Sequence, residues 1–356
     1  MEALTYALIL VGILLAVQIL SAAYSVYFER KISAWIQQRV GPNRTGPLGL
    51  LQPFADVLKL LLKEDIIPSA ADKFVHFISP IIAVTISLIT IAVVPFAKVD
   101  IPMTEATGGF LTLADVNVGI LYVLSVTSIS VYGVTLAGWS SNSKYSLLGG
   151  LRSSAQMISY ELALGLAVVS VILLTNMRFE GDAGFLRPGA IVEAQRGAWN
   201  LFVNPLGFII FVICAFAEAN RAPFDLVEAE QELVGGFHTE YSSMKFALFF
   251  LAEYIHIVVG SMMIVTMFVG GYLGPFEGMI GVAEWSPMLQ MAWNIGWFAF
   301  KTGFFVFLFI WVRWTLPRFK YNQLMDLGWK RLLPLALINL MVVAIVIAVL
   351  TLNTAG

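Results

Sequence analysis

Six of the chain's 23 carboxylates fall within the 24 residues Glu218 to Tyr241, EANRAPFDLVEAEQELVGGFHTEY. A run of charge is usually a solvated loop. Here the acids alternate with Phe224, Leu226, Val227, Leu233, Val234 and Phe237, which marks a half-buried segment. On one continuous helix Glu218, Arg221, Asp225, Glu228 and Glu232 would share an arc of about 80°. Pro223 breaks or restarts such a helix. The broken form leaves Arg221 between Glu218 and Asp225, then Glu228, Glu230 and Glu232 on a short segment, and a bend at Gly235 and Gly236. Three further ionisable groups stand inside apolar runs: Glu161, Glu253 and Lys301. Glu253 and His256, three apart, share a helix face. Taking a carboxyl out of water penalises its charged form and brings proton exchange toward neutral pH, which is what a proton relay requires. Each acid taken singly could equally be a polar contact between helices.

The rest of the chain is a membrane protein. It is 59% hydrophobic and 12% charged with mean hydropathy +0.83, where a soluble domain carries about 25% charged residues. Spanning helices need roughly 20 apolar residues. Eight runs qualify, near 3–28, 74–95, 116–138, 155–176, 202–217, 244–270, 293–316 and 332–352, the fifth being short. The first is read as a retained span, since it starts with Glu2 rather than a basic residue and exceeds a signal core. The expected fold is therefore all-α, one polytopic membrane domain over 1–356 with cytoplasmic loops about 29–73, 139–154, 218–243 and 313–331. A charge at the bilayer centre costs roughly 2.5–3.5 kcal/mol on insertion scales, so Glu161, Glu218, Glu253 and Lys301 must face protein or a wet cavity.

Sixteen of the 21 Lys and Arg residues lie in the odd-numbered loops or at the span ends beside them, seven of these between Arg30 and Lys73 and five between Arg313 and Arg331. Basic residues are retained on the cytoplasmic side, which puts both termini outside. In the first loop RVGPNRTGPLG is an irregular turn carrying Arg39 and Arg44. After it Leu48, Leu51, Ala55, Leu58 and Leu62 recur opposite Gln52, Asp56, Lys59 and Lys63, the pattern of an amphipathic interfacial helix starting near Pro53. With Cys214 alone, the chain can form neither an internal disulfide nor a four-cysteine cluster. It has no phosphate-cradling glycine loop and no zinc-type ligand spacing. Redox centres, if electrons are involved, belong to partners.

Four stretches carry a resemblance to a known family: FERKISAWIQQRVGPNRTGPLGLLQPFADVLKLLLKE (28–64), SYELALGL (159–166), FAEANRAPFDLVEAEQELVGGFHTEY (216–241) and VRWTLPRFKYNQLMDLGWKRLLPL (312–335). They resemble the H-type membrane subunits (NuoH) of the proton-translocating NADH-quinone oxidoreductases, respiratory complex I. The resemblance implies a subunit between a hydrophilic arm carrying flavin and iron-sulfur clusters, the small membrane subunits and the antiporter-like subunits. It implies quinone as substrate, no covalently bound cofactor and no metal in this chain, no nucleic acid, and a bacterial inner membrane with periplasmic termini. By motif match, Glu29, Arg30, Arg39 and Asp56 would line the entry to the quinone chamber, and Phe224, Asp225, Glu228, Glu230 and Glu232 the loop facing it. Glu161, Glu218, Glu228 and Glu253 would form the proton path. Homologous subunits also serve membrane-bound hydrogenases and ferredoxin- or deazaflavin-linked complexes, and the buried acids alone would suit a stand-alone ion transporter.

Overall fold

The computed structural model describes residues 2–101, 104, 107–178, 186–225, 234–275, 277 and 281–355. Its long helices are α1 (Glu2–Ile36), α3 (Lys73–Ile89, prolonged by a 3-10 turn to Val93), α4 (Gly119–Ser140), α5 (Lys144–Arg178), α7 (Ser243–Phe268), α8 (Pro287–Thr315) and α9 (Leu333–Ala355). Two shorter ones complete the frame, α2 (Gln52–Leu61) and α6 (Pro205–Glu218). Among the described residues seven helices are long and apolar enough to cross a membrane, and α6 is the shorter apolar helix. Eight apolar runs thus become seven full spans and one short one: the 14 residues of α6 reach about 21 Å against a hydrocarbon core of about 30 Å. Asn204 begins α6 by accepting a hydrogen bond from the Gly207 amide at 2.9 Å, and Pro205 has no N–H to leave unpaired.

The helix predicted to start near Pro53 is present as α2. Its apolar side chains Phe54, Val57, Leu58 and Leu61 are exposed on the chain's surface, as a helix lying in the bilayer interface requires. Gln52 donates to Asp56 within the helix at 3.0 Å, and Ser243 at the start of α7 ties down its C-terminal end by donating to the carbonyls of Leu60 and Lys63 at 3.0 and 2.9 Å, while the side chains of Lys59 and Lys63 stay exposed.

The core is the packing of α3, α4, α5, α6 and α7, with α1 and α8 against α7 and α9 against α5. Lipid is as apolar as leucine, so such helices associate through close backbone approach and polar contacts. Glycine supplies the approach where α4 turns back into α5: a Cβ on Gly138 would lie 2.5 Å from the Ser146 carbonyl oxygen. A Cβ on Gly149 of α5 would lie 2.7 Å from the Cα of Gly236, so only glycine there lets the end of the acidic segment rest on α5.

At the opposite end of the bundle an ion cluster closes the loops. Arg196 and Tyr272 both bond the carboxylate of Glu193, Arg196 at 2.6 Å, and Lys98 stands 3.7 Å from it. Burial pushes Glu193 up, but the Arg196 and Tyr272 hydrogen bonds and the nearby positive charges prevail and hold it below the usual carboxylate range. Beside this cluster, α7 ends at Gly270 and Gly271, both at positive φ. Lys301, buried on α8, fills the gap by donating to the carbonyls of Val269, Gly271 and Leu273 at 2.7, 3.0 and 2.6 Å, with its ammonium 4.6 Å from the Trp199 ring. This lysine is the C-terminal cap of α7, a role that sequence alone does not distinguish from a place on a proton path. Each buried carbonyl left unpaired costs about 1–3 kcal/mol. Lys301→Met is expected to lower, by several degrees, the temperature at which the protein aggregates in detergent-solubilised membranes; an unchanged temperature would remove Lys301 from this role.

Candidate functional site

The series of charged groups begins at the end of α1. Glu29 is 6% exposed, accepts a hydrogen bond from Tyr254 Oη of α7 at 2.7 Å, and pairs with Arg313 of α8. The Tyr254 ring lies against the guanidinium of Arg221, 4.6 Å from its central carbon. On its other side Arg221 Nη2 is 3.0 Å from Glu253 Oε2. Glu253 and Tyr254 are consecutive on α7, about 100° apart, so one helix offers the arginine both a carboxylate and a ring. The result is an unbroken series of charge and ring contacts: Arg313, Glu29, Tyr254, Arg221, Glu253.

Arg221 reaches this place because the chain leaves α6 in a tight turn. Asn220 adopts positive φ, and Gln156 of α5 donates to the Ala217 carbonyl at 2.9 Å and to Asn220 Oδ1 at 3.2 Å. The Ala222–Pro223 peptide is cis. Beyond it the Pro223 carbonyl accepts from the Phe319 amide at 3.0 Å, and buried Asp225 pairs with Arg318 at 3.0 Å. Phe224 is 4% exposed and packs against the rings of Tyr160 and Phe319. The break predicted at Pro223 is therefore real, and α6 has already ended at Glu218.

Glu218 stands where three small cavities meet. One of about 10 Å³ lies between Glu161, Glu218 and Thr127. One of about 40 Å³ is bordered by Glu218, His256, Thr90 and Thr127. The third, about 30 Å³, is bordered by Glu218, Glu253, His256, Ser130 and Asn220. One water requires about 10–15 Å³ and two or more polar partners, and each of these mainly apolar spaces is bordered by at least two polar side chains that could hold one. Glu161 itself bonds Ser128 of α4. A different space, apolar and about 520 Å³, opens between α1, α7 and α8, lined on the α1 side by residues that include Phe28 and Ile32 but not Glu29.

Of the remaining residues named from sequence, Arg30 pairs with Asp56 at 2.6 Å, joining α1 to α2, while Arg39 is exposed on the irregular segment between them. Glu228, Glu230 and Glu232 lie outside the described residues. Tertiary structure adds partners that sequence did not single out: Tyr254, Arg313, Ser128 and Ser130. Arg313 was visible only as one more basic residue at a span end, 284 positions from Glu29. Tyr254 stood beside Glu253, but no spacing rule joins either to Arg221.

Comparison with known proteins identifies the family. The NADH dehydrogenase family matches residues 9–344. The chain is 57% identical over 340 residues to NADH-quinone oxidoreductase subunit 8 of Rhodothermus marinus, covering 93% of this chain and 94% of the relative. It is 54% identical over 336 residues to the H-type subunit of the Salinibacter ruber NADH-quinone oxidoreductase, covering 92% of each. Against one of the H-type subunits of Geobacter metallireducens it is 51% identical over 322 residues, 90% of each chain. With a family match across nearly its whole length and relatives more than half identical, the chain belongs to the NADH dehydrogenase family of NADH-quinone oxidoreductase membrane subunits.

Proposed function

We propose that this chain is the membrane subunit of a proton-translocating NADH-quinone oxidoreductase that borders the quinone chamber and carries the first part of its proton path. The observation that supports this most directly is the continuous series from Glu29 through Tyr254 and Arg221 to Glu253, which leads into the cavities around Glu218. An apolar groove of about 520 Å³ lined by Phe28 and Ile32 of α1 fits the isoprenoid-like body of a quinone, and Glu29, next to Phe28 in the chain, with its partner Arg313 fits a polar headgroup. The chain's one cysteine cannot supply the four thiolates of an iron-sulfur cluster, so electrons come from partner subunits. Those partners are the hydrophilic arm with flavin and clusters, and on the other side the small and antiporter-like membrane subunits.

Reduction of the quinone takes up two electrons and two protons to give the quinol. The electrons arrive from a partner's terminal cluster, and the protons leave groups lining the chamber, changing the charge next to Glu29 and Arg313. At an effective dielectric near 20, unit charges about 4 Å apart interact by roughly 4 kcal/mol, nearly three decades in a protonation equilibrium. A charge change at Glu29 therefore bears on Arg221 through the ring and ion contacts, and Arg221 on Glu253. From there the proton is exchanged among Glu253, Glu218, Glu161 and Glu228, while Glu230 and Glu232 belong to the chamber side. The hydrogenase-type and ion-transporter readings gain no observation of their own from the geometry.

Three outcomes test the reading. In liposomes with the reconstituted complex, Glu218→Gln or Glu228→Gln is expected to cut proton pumping roughly tenfold or more, since a neutral amide cannot hold the exchanged proton; assembled complexes pumping normally would sink the relay. Glu29→Gln keeps an acceptor for Tyr254 but loses the charge facing Arg313. Because a charge-assisted bond is worth about 1.5–3 kcal/mol, quinone reduction should fall roughly ten- to hundredfold. Unchanged quinone reduction would take Glu29 off the chamber wall. Single cysteines introduced near either terminus in a Cys214-free chain should react with a membrane-impermeant maleimide from the periplasmic side, whereas labelling from the cytoplasmic side alone would invert the orientation.

A further inference from the structure

The acids Glu218 and Glu253 border one cavity but come from different helices, α6 and α7, and a third ionisable side chain, His256, borders it with them. His256 borders both the 40 Å³ space and the 30 Å³ space, the only ionisable group besides Glu218 to border both among the described residues. It lies one helical turn after Glu253 on the same face of α7. Among the described residues the imidazole makes no hydrogen bond. Within the smaller space Ser130 Oγ, 2% exposed, likewise has no hydrogen-bond partner in the described chain. A buried polar group left unpaired costs about 1–3 kcal/mol, and native interiors avoid this with protein or ordered water. The unpaired Ser130 hydroxyl and the His256 imidazole line one cavity with room for a water molecule, which Glu218 and Glu253 also border, and together these groups define a water site with enough partners to hold it.

We infer that His256 is a positioning residue that, with Ser130, anchors the water joining Glu218 to Glu253. The inference rests on the relay reading proposed above and adds to it the group that closes the gap between the two acids. The imidazole acts through its hydrogen bonds to water; it does not have to gain or lose a proton. A proton leaving one carboxyl passes to that water while the water releases another to the second carboxylate, so charge and atoms balance without a further reactant. An apolar side chain of similar size would leave the helices packed and remove the anchor.

The test uses the complete complex in liposomes, compared at equal amounts of assembled enzyme, with proton pumping read against quinone reduction and in both H2O and D2O. His256→Leu is expected to lower pumping roughly tenfold, as loss of a buried hydrogen-bonding anchor predicts, and to enlarge the solvent isotope effect. His256→Asn, which can still hold water, is expected to restore both. Full pumping by His256→Leu would overturn the inference. Asn as impaired as Leu would overturn it too, in favour of an imidazole that itself titrates. Glu218→Gln carried alongside separates the two levels. If it is impaired while His256→Leu is normal, the anchor alone is wrong; if it pumps normally, the relay and the anchor fall together.

Discussion

A guanidinium that keeps its proton at any physiological pH is held 1% exposed in the middle of this chain, and the rest of the site follows from that constraint. Arg221 cannot neutralise itself, so it must be met by negative charge and by a ring face, and α7 supplies both in Glu253 and Tyr254. Tyr254 in turn commits its hydroxyl to Glu29, and Glu29 balances Arg313. Four segments, the end of α1, the turn after α6, α7 and the end of α8, are thereby fixed relative to one another. Removing one partner of a buried pair costs about 3–5 kcal/mol, far more than the pair adds as a whole, so these contacts act chiefly as constraints on geometry.

That geometry joins two regions of different character. On one side is an apolar groove between α1, α7 and α8. On the other are small cavities among α4, α5, α6 and α7 whose polar borders include Glu161, Glu218 and Glu253. The shortness of α6 makes the junction possible. Because the helix stops at Glu218, its last carboxyl is delivered into the interior and the following backbone can turn, with Asn220 at positive φ and Gln156 satisfying the freed carbonyl. Irregular backbone at membrane depth survives only where protein or water satisfies it, and here protein does so on the α5 side.

Lys301 and Glu161 illustrate how the same sequence signal can mean different things. Both are charges inside apolar runs. Lys301 is consumed by three carbonyls at the end of α7, where a helix terminus exposes its negative pole. Glu161 faces a cavity shared with Glu218. Nothing in the spacing of either residue separates a helix cap from an acid bordering a cavity.

Membrane insertion, the helix count with one short member, the amphipathic α2, and the break at Pro223 were all determined by sequence, because apolar run length, helical periodicity and proline are local properties. The acids that had to lie in a protected interior were legible for the same reason: a charge in an apolar run has nowhere else to go. Which of them meet was decided only by tertiary structure. Glu29 finds Arg313 across 284 residues and Tyr254 across 225, and His256 comes to border the same cavities as Glu218, because helix packing brings distant segments to a common depth. Those meetings depend on side-chain shape and close glycine contacts between helices, which a linear sequence does not state.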